Sequence, residues 1–339
     1  MEKIPSFRVV GDVPKSVKEE ASDYKRKFLH DHFESLLPSE KERLKKLEYP
    51  KSEKEIALIN FANEETSRLM QEAGVESYNV PIDNFHILPS DFYQEIKGKD
   101  TNSDASTSFV NQGIIFDAKY MRNNPVHFGS ISLHELLHLK GHMSIEVEET
   151  SDGKHSTTQY REGVTVKPAQ KLGFHGMFHT HFSGLHEAIV STQQKKSYPK
   201  MLELPILAEE KKRIFSEDII KLKEKIANKR EISPDEIIWV GDENEVETFS
   251  YRAQRRVLEY VCQEIQKEFP SEFSSEDEVF KVFLGAQFTG RLLPIAKFVE
   301  KTFGQGGFRL LSNMDTTRDS ANVHLEALRK KRLQITKEK

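Results

Sequence analysis

The sequence contains a single cysteine and no long run of apolar residues, and each absence excludes a class of protein. Cys262 has no second thiol in the chain to pair with, so neither an intrachain disulfide nor a metal site built from several thiolates can form. No stretch reaches the ~20 consecutive apolar residues that a membrane-spanning helix requires. We therefore expect no membrane association and a reducing, cytoplasmic environment.

The charge balance shows no large excess of one sign. The chain carries 54 acidic and 50 basic residues, with a formal net charge of -4, so it has no overall attraction for nucleic acid. The first residues, Met1 to Pro5, lead into mixed charges rather than an apolar segment, and no secretory signal peptide is expected. The basic cluster Arg329–Arg332 could contact nucleic acid, but four charges at a terminus are more typical of a solvated tail.

Changes in residue pattern divide the 339-residue chain into four segments. Charged helical patterns occupy residues 1–78 and 204–328, and residues 79–203 between them combine short apolar runs with helices. Residues 329–339 form a basic tail that we expect to be frayed. This order predicts an α+β fold, in which a small mixed sheet lies beside a central helix and helical regions flank both. The N-terminal helices would serve as a packing hairpin or a lid.

Short apolar runs bounded by polar residues predict the strands of the central segment. Pro81–Leu88 and Ser108–Phe116 fit this pattern, and the polar loop Lys97–Ser108 separates them. An alternating run then precedes Asp152-Gly153, a pair typical of a tight turn. We expect His155–Lys167 to return after this turn as the second strand of a hairpin.

Capping residues predict where the helices begin. Three serine–glutamate pairs have the spacing of a capping box: Ser39 with Glu42, Ser52 with Glu55, and Ser275 with Glu278. Asn124 and Pro125 are typical of an N-cap and the first helical residue. The helix they start is expected to reach Lys140, with Gly141 as a left-handed stop. A further helix is predicted from Ser183 to about Lys195.

The chemistry is concentrated in the helix that follows Pro125. Residues 134 to 142 read His-Glu-Leu-Leu-His-Leu-Lys-Gly-His. A spacing of four places His134 and His138 one turn apart on one helical face, where two imidazoles can bind one cation. Glu135 is rotated from them by about 100°, so its carboxylate can reach a metal-bound water without becoming a ligand.

This His-Glu-x-x-His helix resembles the active-site helix of the zincin superfamily of zinc metallopeptidases. The resemblance implies that the helix holds Zn²⁺ below an edge strand, for which Ser108–Phe116 is the candidate. It also implies that Glu135 takes a proton from a water on the zinc, and that this water attacks a peptide carbonyl. Zinc suits such a site because it accepts imidazole and carboxylate ligands and keeps one position open for water.

A third ligand has to come from another part of the chain. The metzincin pattern would require a histidine where Ser144 stands, so that pattern fails. His142 lies close to the motif, but a helix ending at residue 140 would swing it away. Glu187 is the better candidate, because Gly184–Ser191 resembles the second helix of the thermolysin-like gluzincins. In those enzymes a glutamate of this helix completes a set of two histidines and one glutamate.

Two positions of the second helix differ from the gluzincin pattern. His186 stands where the family has asparagine, and Ser191 stands where an aspartate orients a zinc-bound imidazole. Losing that carboxylate weakens the contacts that orient the ligands, an effect worth ~10–100-fold in metal affinity or activity. Ser191 could accept the hydrogen bond instead, or another acid could substitute.

Further side chains could stabilise an oxyanion near the metal. Four histidines precede or begin the second helix: His175, His179, His181 and His186. One of them could donate to the oxyanion, the group could bind a second metal, or they could be loop and surface histidines. Tyr160 and Tyr251 could also donate, or could simply be packed core tyrosines.

These residues together predict a zinc-dependent hydrolase that cleaves a peptide or amide bond. His134, His138 and Glu187 would be the ligands and Glu135 the general base, with a peptide or protein as substrate. The alternative is a zincin scaffold that binds metal without turnover and serves as a binding or regulatory module. The missing aspartate at residue 191 motivates this second interpretation.

Overall fold

The computed structural model describes residues 7–30, 38–97, 103–108, 112–150, 152–167, 180–241 and 245–338. The architecture is α+β, as predicted, with small sheets set among a larger number of helices. One hydrophobic core extends from Leu58 in the N-terminal part to Leu328 near the C-terminus. Among the described helices, none is both long and apolar enough to cross a bilayer.

The N-terminal part begins with a strand and continues with helices. Its elements are β1 Phe7–Val10, α1 Lys15–His30, α2 Pro38–Leu47 and α3 Glu53–Glu72. The capping box predicted at Ser52 is confirmed, because the Glu55 N–H donates to its hydroxyl and its own N–H donates to the Glu55 carboxylate. Ser39, by contrast, lies inside α2 and is not an N-cap.

The central part contains a small mixed sheet and the motif helix. Its elements are β2 Phe85–Leu88, α4 Ser90–Lys97, β3 Ala105–Ser108, β4 Gly113–Asp117, α5 Ala118–Met121 and α6 Pro125–Leu139. β4 lies in the middle, parallel to β2 and antiparallel to β3, so β2 and β3 are the edge strands, and β3 is the one that packs beside α6. The prediction of one strand over Ser108–Phe116 is therefore wrong. The edge strand lies in the stretch predicted as a polar loop, because its Ser and Thr side chains do not have to be apolar at a sheet edge.

The caps of α6 explain where the motif helix begins. The Asn124 side chain accepts the His127 N–H, and Pro125 occupies the first helical position, as predicted. The helix ends at Leu139, and Gly141 is not among the residues with positive φ, so the expected left-handed stop is wrong. Position 141 is glycine for a different reason, because neighbouring atoms leave no room for a side chain. A Cβ there would lie 2.7 Å from Nε2 of Gln287 and 2.9 Å from the carbonyl oxygen of His138.

A second sheet follows α6 and leads to the second long helix. Its elements are β5 Met143–Glu149, β6 His155–Glu162 and β7 Thr165–Val166, followed by α7 Ser183–Met201. The predicted hairpin is confirmed, with Gly153 at φ 76° in its turn. The returning strand is shorter than predicted, because the chain turns at Gly163 (φ 54°) before β7. β1 pairs parallel with β5, a long-range contact that the sequence did not indicate.

The motif helix α6 is buried because α3 and α7 both pack against it. Leu58, Ile59 and Ala62 of α3 are fully buried, so this helix is part of the core rather than a lid. The fully buried Nζ of Lys140 donates to the Asn63 carbonyl at 2.9 Å and to the Ser67 hydroxyl at 2.9 Å. These bonds fix the end of α6 against α3.

The C-terminal part is mostly helical and contains a hairpin that was not predicted. Its elements are α8 Ala208–Ile214, α9 Glu217–Arg230, β8 Ile237–Val240, β9 Val246–Thr248, α10 Arg252–Glu268, α11 Glu276–Thr289, α12 Leu293–Phe303, α13 Gly307–Asn313 and α14 Arg318–Glu338. Helix α14 continues to Glu338, and Arg332 pairs with Glu264 and Glu268 of α10. The described part of the basic tail is therefore a packed helix rather than a frayed end.

A buried carboxylate connects α3 to α7 behind the motif helix. Glu65 is 3% exposed and accepts from Arg68, Ser197 and Lys200. Burial raises the pKa of Glu65, but these hydrogen bonds and the charge of Arg68 outweigh it and lower the pKa from 4.5 to about 2. The folded-state pKa is thus depressed, so the interaction stabilises the protein above about pH 4.5 and is lost as the pH falls toward 2.

We predict that Glu65→Gln lowers the free energy of unfolding by about 2 kcal/mol at pH 7, because hydrogen bonds to a charged group are lost. The difference from the wild type should shrink as the pH falls from 4.5 toward 2. Urea unfolding at pH 7 and at low pH measures both values. The exposed neighbour Glu64, changed to Gln, is the matched control and should have little effect. A pH-independent difference would contradict the assignment.

Candidate metal centre

Two imidazoles face each other on α6, one helical turn apart. The Nε2 atoms of His134 and His138 lie 3.1 Å apart, and the ring planes make an angle of 66°. Both residues are less than 9% exposed. The motif spacing therefore brings two nitrogen donors together in a buried position, as the sequence predicted.

Glu187 of α7 supplies a third donor to the same point. Its Oε2 lies 3.6 Å from Nε2 of His134 and 3.4 Å from Nε2 of His138. Ligands about 2.1 Å from a shared tetrahedral ion are separated by about 3.4 Å, so all three separations suit one cation. Oε2 is buried and has no hydrogen-bond partner among the described residues. His134, His138 and Glu187 thus form a group that could hold a metal ion.

The electrostatics of this group favour a positive charge at its centre. Burial lowers the pKa of His138, but the nearby Glu187 charge outweighs it and raises that pKa to about 9. Burial raises the pKa of Glu187, yet the positive charge on His138 holds it well below its ordinary value. The buried carboxylate therefore needs a cation beside it, which a proton on His138 or a metal ion can supply.

His142, the nearest histidine to the motif, is not brought to the three donors. Its Nε2 is hydrogen-bonded to the hydroxyl of Ser144 at 2.9 Å, and its backbone N–H donates to the Gln287 carbonyl. The group around Glu187 does not include it. Glu187 is therefore better placed than His142 to be the third ligand.

A neutral amide orients the ring of His134. Its Nδ1–H donates to Oε1 of Gln194 at 3.1 Å, and Nε2 of Gln194 donates to the carbonyl and hydroxyl oxygens of Ser130. This network leaves Nε2 of His134 with its lone pair toward Glu187. Gln194 therefore occupies the orienting position considered for Ser191, whose buried hydroxyl has no partner among the described residues.

A neutral imidazole orients the ring of His138. Its Nδ1–H donates to Nε2 of His186 at 3.2 Å, and Nε2 of Gln287 donates to the same atom at 2.8 Å. Nδ1–H of His186 donates to the Thr165 hydroxyl at 2.8 Å. Burial lowers the pKa of His186 to about 3, with a further contribution from His138, so His186 stays neutral and accepts. His186, which stands where the gluzincin pattern has asparagine, thus orients the second motif histidine.

Glu135 points toward the edge strand rather than into the group of three donors. Its Oε2 accepts the Thr107 hydroxyl at 2.5 Å, and Thr107 lies on β3. The carboxylate is half-buried, between the metal group and the sheet edge. The motif helix therefore contacts an edge strand, but this strand is Ala105–Ser108 rather than the predicted Ser108–Phe116. Nothing in the sequence singled out Thr107.

The ring of Tyr251 lies against His134, one of the three donors. Its ring stacks on His134 with centroids 6.3 Å apart and planes 13° from parallel. The residue begins α10 with φ 54°, a left-handed backbone that a tyrosine rarely adopts. Burial, with smaller contributions from Glu187 and Glu135, raises the pKa of Tyr251, so the phenol keeps its proton and can donate.

The remaining candidates are not brought to the group. Tyr160 is half-buried on β6, where its carbonyl accepts the Lys167 N–H, and its described contacts do not include the metal group. His181 forms a backbone bridge with Val166. His175 and His179 lie outside the described residues.

Comparisons with known proteins return no relative. No family model matches the chain, no curated protein matches it, and no solved structure resembles it closely enough to count as a match. The likeness to zincins therefore depends on the residues and geometry of this chain alone.

We predict that Gln194→Ala weakens zinc binding by ~10–100-fold, because the ring of His134 loses the acceptor that orients it. The adjacent Gln193 is also buried but donates to the Ser197 hydroxyl, so Gln193→Ala is the matched control and should bind zinc as the wild type does. Competition with a chromophoric chelator measures both affinities. Equal affinities for the two variants would show that Gln194 does not position the ligand.

Proposed function

We propose that this protein is a zinc-dependent hydrolase of the metallopeptidase type. The observation that carries the proposal is the buried Glu187 oxygen, unpartnered among the described residues and within 3.6 Å of both motif imidazoles. Two imidazoles and one carboxylate are a ligand set that zinc accepts while keeping a position free. When bound, zinc would supply a Lewis acid and lower the pKa of a coordinated water.

Glu135 is the proposed general base. Its carboxylate lies next to the ligand His134 in the chain, and the Thr107 hydroxyl fixes one of its oxygens. The other oxygen remains to accept a proton from the attacking water and to pass it to the leaving amine. The same hydroxyl ties the base to β3, so the base and the edge strand keep a fixed distance.

The edge strand β3 is the proposed binding site for an extended substrate. A strand at a sheet edge presents unpaired backbone donors and acceptors, and a peptide can add to it as a further strand. Because Thr107 of β3 holds Glu135, a peptide bound there would run past the proposed base. This arrangement supports a peptide rather than a small amide as the substrate.

Tyr251 is the proposed oxyanion donor. Its protonated phenol lies beside His134, close enough to Glu187 and Glu135 for both charges to contribute to its raised pKa. A hydrogen bond from such a donor becomes stronger as negative charge develops on the oxyanion, so it stabilises the transition state more than the bound substrate.

A second candidate function is a metal-binding module without turnover. The observation that favours it is that the outer imidazole nitrogens contact Gln194 and His186, with no carboxylate among their described hydrogen-bond partners. A neutral acceptor makes the imidazole less basic than a carboxylate does, and catalytic zinc sites commonly use the carboxylate.

We predict that Glu135→Gln reduces peptide hydrolysis by ~10²–10⁴-fold while zinc content stays at the wild-type level, because the base is lost and the ligands remain. A synthetic peptide library analysed by mass spectrometry supplies the substrates. Exposed Glu149, changed to Gln, is the control and should cleave at the wild-type rate. Zinc-loaded wild type that cleaves no peptide would favour the binding module, and a fully active Glu135→Gln would refute the mechanism.

We predict that Tyr251→Phe lowers kcat by ~10²-fold with little change in KM, because the hydroxyl acts on the transition state. The substitution keeps the ring that stacks on His134, so zinc affinity should not change. Steady-state kinetics on a peptide cleaved by the wild type provides the measurement. A change in KM alone would assign the tyrosine to substrate binding.

A further inference from the structure

A second group of metal-ligating side chains lies at the N-terminal end of α6, apart from the proposed active centre. It contains Asp104 just before β3, His127 in the first turn of α6, and Glu247 on β9. One ligand atom from each lies within 4.8 Å of the others. His127 precedes His134 by seven residues, which places it on the same helical face and about 10 Å away along the axis.

The imidazole of His127 has one nitrogen satisfied and the other not. Nε2 lies 3.0 Å from Oδ2 of Asp104, a hydrogen-bonding distance. Nδ1 faces Oε2 of Glu247 at 3.9 Å, which is too long for a hydrogen bond. The side chain is 4% exposed, and Nδ1 is buried with no hydrogen-bond partner among the described residues. A buried nitrogen aimed at a carboxylate without a donor between them is unfavourable unless a cation lies there.

The charges of this group also favour a bound cation. Asp104 and Glu247 carry two negative charges, and neither forms an ion pair with a lysine or arginine among the described residues. Their side chains are 29% and 32% exposed, so water can reach the group and complete a coordination shell. Within the described part of the chain, two carboxylates therefore lie beside one imidazole without a lysine or arginine to balance their charge.

We propose that His127 and Glu247 bind a second divalent transition-metal ion, with Asp104 accepting the Nε2–H of His127. Nδ1 and the Glu247 oxygen are separated by 3.9 Å, somewhat wider than the ~3.4 Å between tetrahedral ligands that each lie ~2.1 Å from one ion, so the partly exposed Glu247 side chain would move slightly closer on binding. Asp104 would fix the tautomer that presents Nδ1, the usual arrangement of a carboxylate behind a metal-bound histidine. An imidazole ligand favours zinc, copper or nickel over calcium.

The role of this ion would be to connect three elements around the edge strand. Glu247 belongs to the β8–β9 hairpin, His127 to α6, and Asp104 to the residues that lead into β3. The same strand carries Thr107, which holds Glu135. A bound ion would thus fix the hairpin and the start of the strand against the motif helix, without taking part in the chemistry.

The test uses the full chain with the first centre disabled. In His134→Ala/His138→Ala, stripped with a chelator and titrated with Zn²⁺ by calorimetry, we expect one ion per chain and a higher Tm with zinc. Adding Glu247→Gln should abolish this binding, and adding Asp104→Asn should weaken it ~10-fold or more. Exposed Glu245 on the same hairpin, changed to Gln, is the matched control and should leave it intact.

Two results would overturn the proposal. The first is a double variant that binds no zinc up to millimolar concentration although circular dichroism shows it folded. The second is one bound ion that persists in both the Glu247→Gln and Asp104→Asn variants, which would place the ion elsewhere. Failure of the proposed hydrolase is a separate outcome. In that case the wild type would lack the zinc equivalent that disappears in His134→Ala/His138→Ala.

Discussion

The carboxylate of Glu187 is buried against two imidazoles, and a carboxylate in that position requires a positive charge beside it. The surrounding structure meets this constraint by holding each ring rather than by supplying a lysine or arginine from the described residues. Packing of α3 and α7 on α6 keeps water away from the rings, and the outer hydrogen bonds leave both Nε2 lone pairs directed at one point. The helices that form the core therefore also position the side chains of the candidate metal centre.

The outer contacts determine the charge of the centre as well as its geometry. Gln194 and His186 are both neutral, so neither adds a negative charge to those of Glu187 and the neighbouring Glu135. A divalent cation would balance these two carboxylates, whereas a further carboxylate behind one ring would leave the set negative. In the proposed zinc site, less basic imidazoles would bind the ion less tightly and leave more of its positive charge to act on a bound water.

The predictable parts of the site are those encoded by short-range spacing. His134 and His138 follow from the helical period, and the α6 start from its Asn-Pro cap, whereas Glu187 needed a resemblance to a second helix about fifty residues away. Thr107 and Gln194 could not be foreseen, since each acts across contacts between elements. The edge strand β3 and the β1–β5 pairing were missed for a related reason. A polar edge strand and a parallel pair between distant segments show little hydrophobic periodicity in the sequence.

The side chain of Gln287, on α11, contacts the motif helix in a space that is free because residues 141 and 163 are both glycine. A Cβ at Gly141 or at Gly163 would collide with this side chain, which is fully buried and donates to His186 and to the Leu137 carbonyl. The three positions are thus energetically coupled across about 150 residues of chain. A larger residue at either glycine would displace Gln287 and remove a donor from His186, and at Gly163 the φ of 54° strains any other residue as well. Gln287 thus connects helix α11 of the C-terminal part to the residues around the candidate metal centre.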